Sequence, residues 1–299
     1  MDGKVSDPEG RPRGMQRRRF LGQVSLASAA LASGDRLLAG PTAGVAPAES
    51  FDALARRLLG EWTEGMRRRQ IRSPRDPARH GALDCPACGF IHGRCMDAVH
   101  PFLHMARRTG EERWMRSAVE VFEWSRNVTL ESGAWTVMPD PKSWRGITIF
   151  GAIALAESLH HHGDLLDTAV RKRWTTRLSR AADFVLGFFN IKFSNINYSA
   201  TALHGFHLFT KVLDDPKYLR RARELAAELR GFFTAPNELL YGEGKPKEKS
   251  SRGRYPVDLG YNVEESLPAL ALYALDTGDE ALTRRVADSM RSHLAFLLP

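Results

Sequence analysis

Two kinds of apolar segment alternate along the chain. One kind is apolar on nearly all sides; residues 147–159, for example, contain Glu157 as their single charged residue. The other kind carries apolar residues on one helical face and charges on the opposite face, as in 216–232, where Leu219 and Leu225 lie opposite a face rich in arginine. A helix that is apolar all round is buried, whereas an amphipathic helix faces water. The alternation therefore predicts inner and outer helices.

The inner and outer segments occur in pairs. A short turn joins the two members of each pair, at Gly110, Gly163, Asp214 and Gly278. The inner helices are expected at 96–105, 147–159, 198–212 and 263–275, and the outer helices at 112–128, 165–185, 216–232 and 279–297. An amphipathic helix at 51–69 precedes them without an inner partner. Tandem units of this kind predict an all-α array of helical hairpins.

The inner helices of such an array all run in the same direction. Their N-terminal ends, and the loops that lead into them, then gather at one end of the molecule, which we call the mouth. The loops concerned are 92–97, 140–146, 194–198 and 258–265. Converging helix N-termini favour an anionic or polyhydroxylated ligand. The alternative is that each loop is an ordinary helix cap.

Composition and charge narrow the class of protein. The chain has 299 residues, of which 43% are hydrophobic and 26% charged, which is typical of a globular protein with a substantial core. The net charge of +8 is spread over a long chain. We find no basic run interleaved with aromatic residues, which argues against nucleic acid as a partner.

The N-terminal region is typical of an export signal. Residues 16–22, Gln-Arg-Arg-Arg-Phe-Leu-Gly, precede an apolar run at 24–33 and a stretch of small residues at 39–48. This pattern predicts a twin-arginine signal and a periplasmic or secreted protein. The alternative of a membrane anchor is disfavoured, because the run is short and rich in Ser and Gly. We therefore divide the chain into a signal and linker at 1–48 and a helical domain at 49–299.

All three cysteines fall within eleven residues and share that stretch with a histidine. The four side chains are Cys85, Cys88, His92 and Cys95. Three thiols and an imidazole can form a closed tetrahedral zinc site, so structural zinc is one interpretation. Two alternatives are a disulfide between two of the cysteines and simple packing of His92 and Cys95 at the start of a helix. No open coordination position indicates a catalytic metal, and no cofactor is expected for catalysis.

Three segments resemble a known family. Residues 85–97, 144–148 and 255–266 are similar to segments of bacterial six-hairpin glycosidases, some of which are assigned exo-β-glucuronidase activity on arabinogalactan. The resemblance implies an (α/α) toroid of six inner and six outer helices, of which about nine are expected here. It also implies that the ring is completed by further chain or by a second copy of the protein.

The resemblance implies hydrolysis of a bond to a uronic acid by two carboxyl groups. Asp97 and Glu265 are the leading pair, because they stand at the start of different inner helices and can face each other across the mouth. Glu264 and Asp258 are held in reserve. An oligosaccharide or polysaccharide is then the expected substrate.

Other polar and aromatic residues near the mouth suit recognition of a sugar acid. Arg94 and Arg145 can bind a carboxylate bidentately, and Trp144 and Tyr261 offer faces on which a sugar ring stacks. Asn197 and Tyr198 open the third inner helix with groups that bind hydroxyls or cap the helix. His204 and His207, deeper in that helix, are interpreted as core residues. Packing and capping are the alternatives throughout.

Two other functions fit the same pattern. A polysaccharide lyase needs a base and a group that neutralises the uronate. Tyr198, Tyr261 or His92 would act as the base, and Asn262 or Arg145 would neutralise the carboxylate. The third hypothesis is a helical scaffold without catalytic activity.

Overall fold

The computed structural model describes residues 49–192, 195–242, 249–254 and 256–297. The predicted export signal lies outside these ranges. Within them the regular structure is helical, and extended segments form isolated antiparallel bridges such as Gln70 with Leu83 and Asp84 with Ile91. A search of the same ranges finds no helix with the length and apolar character needed to cross a bilayer.

The longer helices follow the predicted order. Nine helices of eleven residues or more lie in the described ranges: α1 (Phe51–Arg68), α2 (Val99–Thr109), α3 (Glu112–Trp124), α4 (Thr148–His162), α5 (Thr168–Phe188), α6 (Ile196–Leu213), α7 (Pro216–Leu229), α8 (Leu267–Thr277) and α9 (Glu280–Leu294). Their ends differ from the expected ones by no more than about one turn. The prediction of an all-α array of hairpins is therefore confirmed.

The even-numbered helices form the inner layer. The helices α2, α4, α6 and α8 pack side by side in chain order, and each packs against the outer helix that follows it. Every residue of α6 from 199 to 209 is buried. The outer helices bury only one face, as the charge pattern predicted. On that face Trp174 of α5 stacks on Phe122 of α3, with ring centroids 4.7 Å apart.

Left-handed residues reverse the chain at three of the four turns. Gly110, Asp214 and Gly278 have φ values of 70°, 53° and 69° and end the inner helices α2, α6 and α8. Glycine adopts this conformation without steric cost, which explains its use at two of the positions. Gly163 has a right-handed conformation instead and begins a 3-10 turn at Gly163–Leu165. Each outer helix returns the chain in the opposite direction before the next inner helix begins. The N-terminal ends of the inner helices therefore lie at the same end of the array.

The first and fourth inner helices start irregularly. A 3-10 helix at Gly93–Ala98 leads into α2. A single α-helical turn at Leu259–Tyr261 and a π-helical turn at Asn262–Ser266 lead into α8. Such π turns widen a helix locally and occur often at functional sites. Both irregular starts carry side chains that the sequence selected as candidates.

Candidate functional site

A cavity of about 390 Å³ is bounded by the four inner helices and their leading turns. Its polar lining consists of Arg94, Asp97, His100, Glu157, Thr201, His204, Glu264 and Glu265. Apolar side chains, among them Phe150, complete the wall. The cavity has the mixture of apolar wall and few convergent polar groups that is typical of ligand sites.

Arg94 joins three elements at the centre of this cavity. Its Nε lies 3.2 Å from Asp97 Oδ2, one turn further along the same 3-10 helix. Its Nη1 lies 3.9 Å from Oε1 of Glu265 in the π turn. Its Cζ lies 3.9 Å from the ring centroid of Phe150 in α4. Two carboxylates and an aromatic face therefore fix the position of the guanidinium.

Glu265 has a second polar partner on the neighbouring inner helix. Asn197, in the first turn of α6, donates from Nδ2 to Glu265 Oε2 at 2.6 Å. The Glu265 side chain is 8% exposed. Asn197 hydrogen-bonds one oxygen of Glu265, and Arg94 forms an ion pair with the other at 3.9 Å. Glu265 is a buried acceptor that connects the starts of three inner helices.

Asp97 is the more weakly satisfied of the two acids. Its Oδ1 is buried and has no hydrogen-bond partner. Burial raises the pKa of Asp97 to about 6; the Arg94 charge and hydrogen bond oppose that rise, whereas Glu265 adds to it. The structure therefore brings together Asp97 and Glu265, the two acids that the sequence paired, and places Arg94 between them.

A second group of titratable side chains lines the same cavity deeper between the helices. Glu157 lies 3.3 Å from Nε2 of His204 and 3.1 Å from Nε2 of His161. Burial acts to raise the pKa of Glu157, but the hydrogen bond from His204 and the neighbouring imidazoles outweigh it, so the pKa is lowered. The interpretation of His204 as a core residue is incomplete, since it is both buried and part of the cavity wall.

An aromatic wall, which we define as Trp144, Phe150, Phe189 and Tyr198, adjoins the cavity. Trp144 Nε1 donates to the Tyr198 hydroxyl at 3.0 Å. The Tyr198 ring stacks on Phe189, with centroids 5.4 Å apart, and meets the edge of Phe150 at 5.7 Å. Trp144 is 45% exposed. The wall therefore runs from the solvent to the aromatic face beneath Arg94.

Several candidate residues near the mouth contribute to the local backbone instead. Asp258 Oδ1 accepts from the Tyr261 amide at 3.0 Å and so caps the turn before α8. Asn262 is buried and donates to the Leu240 carbonyl at 3.2 Å. Arg145 is exposed. The described cavity lining does not include Arg145, Asp258, Tyr261 or Asn262.

The cysteine cluster adjoins the 3-10 helix that carries Arg94. One ligand atom from each of Cys85, Cys88 and His92 lies within 4.8 Å of the other two. Cys95 Sγ lies 3.9 Å from both ring nitrogens of His92. All three cysteines are unpaired. His92 is therefore placed among the thiols, away from the cavity lining.

Comparison with known sequences identifies a relative and a family. Residues 59–299 match the family model described as the ulvan lyase N-terminal domain. The chain is 47% identical over 296 residues to a broad-specificity ulvan lyase of Formosa agariphila. The alignment covers 95% of this chain and 45% of that protein, so the chain spans less than half of the relative's length.

Solved structures with a similar fold have low sequence identity to this chain. A family 76 glycoside hydrolase from a bovine Bacteroides thetaiotaomicron strain has a TM-score of 0.59 at 12% identity, covering 78% of this chain and 56% of its own. The cellobiose 2-epimerase of Bacillus thermoamylovorans has a TM-score of 0.56 at 11% identity, covering 79% and 72%. These likenesses concern the fold, and they confirm the (α/α) toroid.

The sequence matches correct the predicted chemistry. The expectation of a glycoside hydrolase of the exo-β-glucuronidase type is wrong, because both the family model and the relative at 47% identity carry the name of a lyase. The toroid itself does not identify the reaction, since a hydrolase and an epimerase share it. With 59–299 matched, the chain belongs to the ulvan lyase N-terminal domain family.

Proposed function

We propose that this protein is a polysaccharide lyase that cleaves uronate-containing chains of the ulvan type by β-elimination. A base removes the proton from the carbon next to the uronate carboxyl, and a cation stabilises the charge that develops on that carboxyl. The bond to the leaving oxygen then breaks as the new double bond forms, and that oxygen takes up a proton. The products are a new reducing end and an unsaturated uronate. The family membership and the 47% identity to an ulvan lyase support this reaction class.

The proposal depends most on Arg94. Among the described lining residues it is the one whose charge is permanent, and it is held on Phe150 at the centre of the cavity. A guanidinium binds a carboxylate through two parallel hydrogen bonds. The longer of its two acidic contacts, 3.9 Å to Glu265, is the one that a uronate would displace. In this assignment Arg94 neutralises the substrate carboxylate.

Tyr198 is the proposed base. Its hydroxyl oxygen accepts the Trp144 N–H at 3.0 Å, and this hydrogen bond holds the oxygen in place. Phe150 contacts both Tyr198 and Arg94. A uronate bound beside Phe150, between Arg94 and Tyr198, would therefore have its carboxylate at Arg94 and its acidic carbon near Tyr198.

The first experiment follows the products of the reaction. The protein is incubated with ulvan, and the ultraviolet absorbance of the unsaturated uronate is recorded together with the number of reducing ends. We expect both to rise in equal amounts on ulvan and neither to rise on a neutral mannan. Reducing ends without absorbance would mean hydrolysis and would refute the proposal, as would the absence of any turnover on ulvan.

Two variants test the residue assignments. Arg94→Lys keeps the charge but loses the two-pronged geometry, so kcat/KM should fall about 10- to 150-fold, the equivalent of roughly 1.5–3 kcal/mol for a hydrogen bond to a charged group. Arg116→Lys, at an exposed position of α3, is the matched control. Equal activity of the two variants would remove Arg94 from the mechanism.

Tyr198→Phe removes the hydroxyl and keeps the ring in the aromatic wall. Loss of a general base costs about 10²- to 10⁴-fold, which should appear in kcat with little change in KM. The matched control is Tyr218→Phe, because the Tyr218 hydroxyl donates to Asp183 at 2.8 Å on the outer layer. A Tyr198→Phe protein with unchanged kcat would show that another group takes the proton.

A further inference from the structure

We propose that Cys85, Cys88, His92 and Cys95 bind one Zn²⁺ ion, which fixes the 3-10 helix carrying Arg94 and Asp97. The metal site is separate from the cavity lining and is independent of the proposed lyase reaction.

The ligand atoms are already close to a metal-binding arrangement. Zinc bonds of about 2.3 Å to sulfur and about 2.0 Å to nitrogen place neighbouring tetrahedral ligand atoms roughly 3.5–3.8 Å apart. Atoms of Cys85, Cys88 and His92 lie within 4.8 Å of one another. The Cys95 sulfur is 3.9 Å from both ring nitrogens of His92. Cys85, Cys88 and His92 are thus within reach of one ion, and Cys95, which contacts His92, must turn toward the other two sulfurs to complete the set.

The backbone between the first two cysteines forms a tight turn. The Gly89 amide donates to the Cys85 carbonyl at 2.8 Å, and the Cys85 amide donates to the Phe90 carbonyl at 3.1 Å. Gly89 has a φ of 73°, a left-handed conformation that favours glycine. The turn brings ligand atoms of Cys85 and Cys88 within 4.8 Å of each other.

The second pair of ligands comes from the start of the 3-10 helix. Cys95 lies within this helix, and His92 is the residue immediately before it, with an extended backbone. A 3-10 helix has three residues per turn, so Arg94 and Asp97, at positions i and i+3, lie above one another and contact each other. Cys95 stands between them in the sequence. A metal bound by His92 and Cys95 therefore restrains the short helix that carries Arg94 and Asp97.

The chemistry of the ligand set indicates which ion is bound. Three thiolates and one imidazole are soft and borderline ligands that select zinc over magnesium or calcium. Four protein ligands leave no position for water or substrate, so the metal is structural. Cys85 and Cys95 also line a second cavity of about 660 Å³ beside α1, which gives an ion access to the site.

The test is the metal content of the purified protein. We expect about one zinc per chain, and at least tenfold less zinc in Cys85→Ser and His92→Ala. His160→Ala is the matched control, because His160 is exposed in the last turn of α4, and it should keep its zinc. Cys95→Ser tests the fourth ligand; it should bind zinc at least tenfold more weakly, and unchanged affinity would refute the four-ligand site.

The unsubstituted protein supplies a test that does not depend on the folding of variants. After chelation and addition of Co²⁺, three thiolate ligands in a tetrahedral site should produce thiolate-to-metal charge-transfer bands and intense visible bands. Thermal stability lost on chelation should return with Zn²⁺ and not with Ca²⁺. Metal-free protein with all thiols titratable, or with a mass deficit of two hydrogens from a disulfide, would overturn the proposal.

Discussion

Substitution of Gly93 by alanine should displace the segment that carries Arg94. Gly93 is buried, and its amide donates to the Val137 carbonyl at 2.7 Å. A Cβ atom added there would lie 2.2 Å from the Thr136 carbonyl oxygen and 2.7 Å from Cδ1 of Ile147. The isoleucine side chain can turn away, but the carbonyl belongs to the backbone. The 3-10 helix must therefore move to accept the methyl group.

The size of the effect follows from this overlap. Relief of the 2.2 Å contact requires the two segments to separate by about 1.3 Å, because optimal non-bonded contacts begin near 3.5 Å. Overpacking of a closed interior costs about 1–3 kcal/mol of stability. A misplacement of about 1 Å in a reacting group costs roughly 10²-fold in rate, or about 2.7 kcal/mol. We expect losses of that order in the free energy of unfolding and in kcat/KM.

The assay compares Gly93→Ala with Gly60→Ala. A Cβ at Gly60, in α1, meets no atom within 4 Å, so this variant should fold normally and gain up to about 1 kcal/mol from helix propensity. Denaturant unfolding gives the stability, and the absorbance of the unsaturated product gives kcat/KM. A Gly93→Ala protein with reduced stability but full kcat/KM would refute the link between this turn and the position of Arg94.

Three further predictions concern single contacts. Trp144→Phe removes the N–H bonded to Tyr198 and should lower kcat about tenfold at nearly constant KM, as steady-state kinetics would show. The hydrogen bond from Arg67 lowers the pKa of Glu64 from 4.5 to about 2, so the ionised carboxylate stabilises the fold fully above pH 4.5 and this contribution is lost as the pH falls toward 2. In Glu64→Gln, the free energy of unfolding should therefore fall less steeply between pH 4.5 and pH 2, as denaturant titrations at several pH values would show. Asp167→Ala removes the cap of α5 and should cost about 1 kcal/mol in denaturant unfolding.

The order of the helices, and the layer to which each belongs, could be predicted because buried helices contain few charged residues. An inner helix such as α4 contacts other helices on nearly all sides and therefore tolerates few charges, whereas α7 exposes a face of arginines. The turns at Gly110 and Gly278 could also be predicted, because glycine is the residue that most readily adopts the left-handed conformation found at the end of each helix. These features depend on local sequence and on periodicity, which a single chain displays.

The contacts inside the site depend on the rotation of neighbouring helices about their axes, which periodicity does not determine. His204 meets Glu157 because α6 and α4 present those two faces to each other. The π turn before α8 changes the direction in which Glu265 projects, compared with a regular helix. The residues of that turn carry no sequence pattern from which a π turn could be predicted. Asp258 was selected for its position near the mouth, where a capping carboxylate and a catalytic one have the same sequence pattern.

The position of Arg94 also explains why Asp97 and Glu265, the two acids on which the prediction of hydrolysis was based, are better suited to orienting a cation. A glycosidase pair must leave space for the sugar between its carboxyl groups, about 5–9.5 Å apart depending on the mechanism. Here the guanidinium of Arg94 occupies the space between Asp97 and Glu265, at 3.2 Å from one and 3.9 Å from the other. Acids placed around a fixed cation orient it. In the proposed elimination their role is to hold Arg94 where the uronate carboxylate must be neutralised, so Asp97→Asn should alter the affinity for substrate more than it alters the pattern of products.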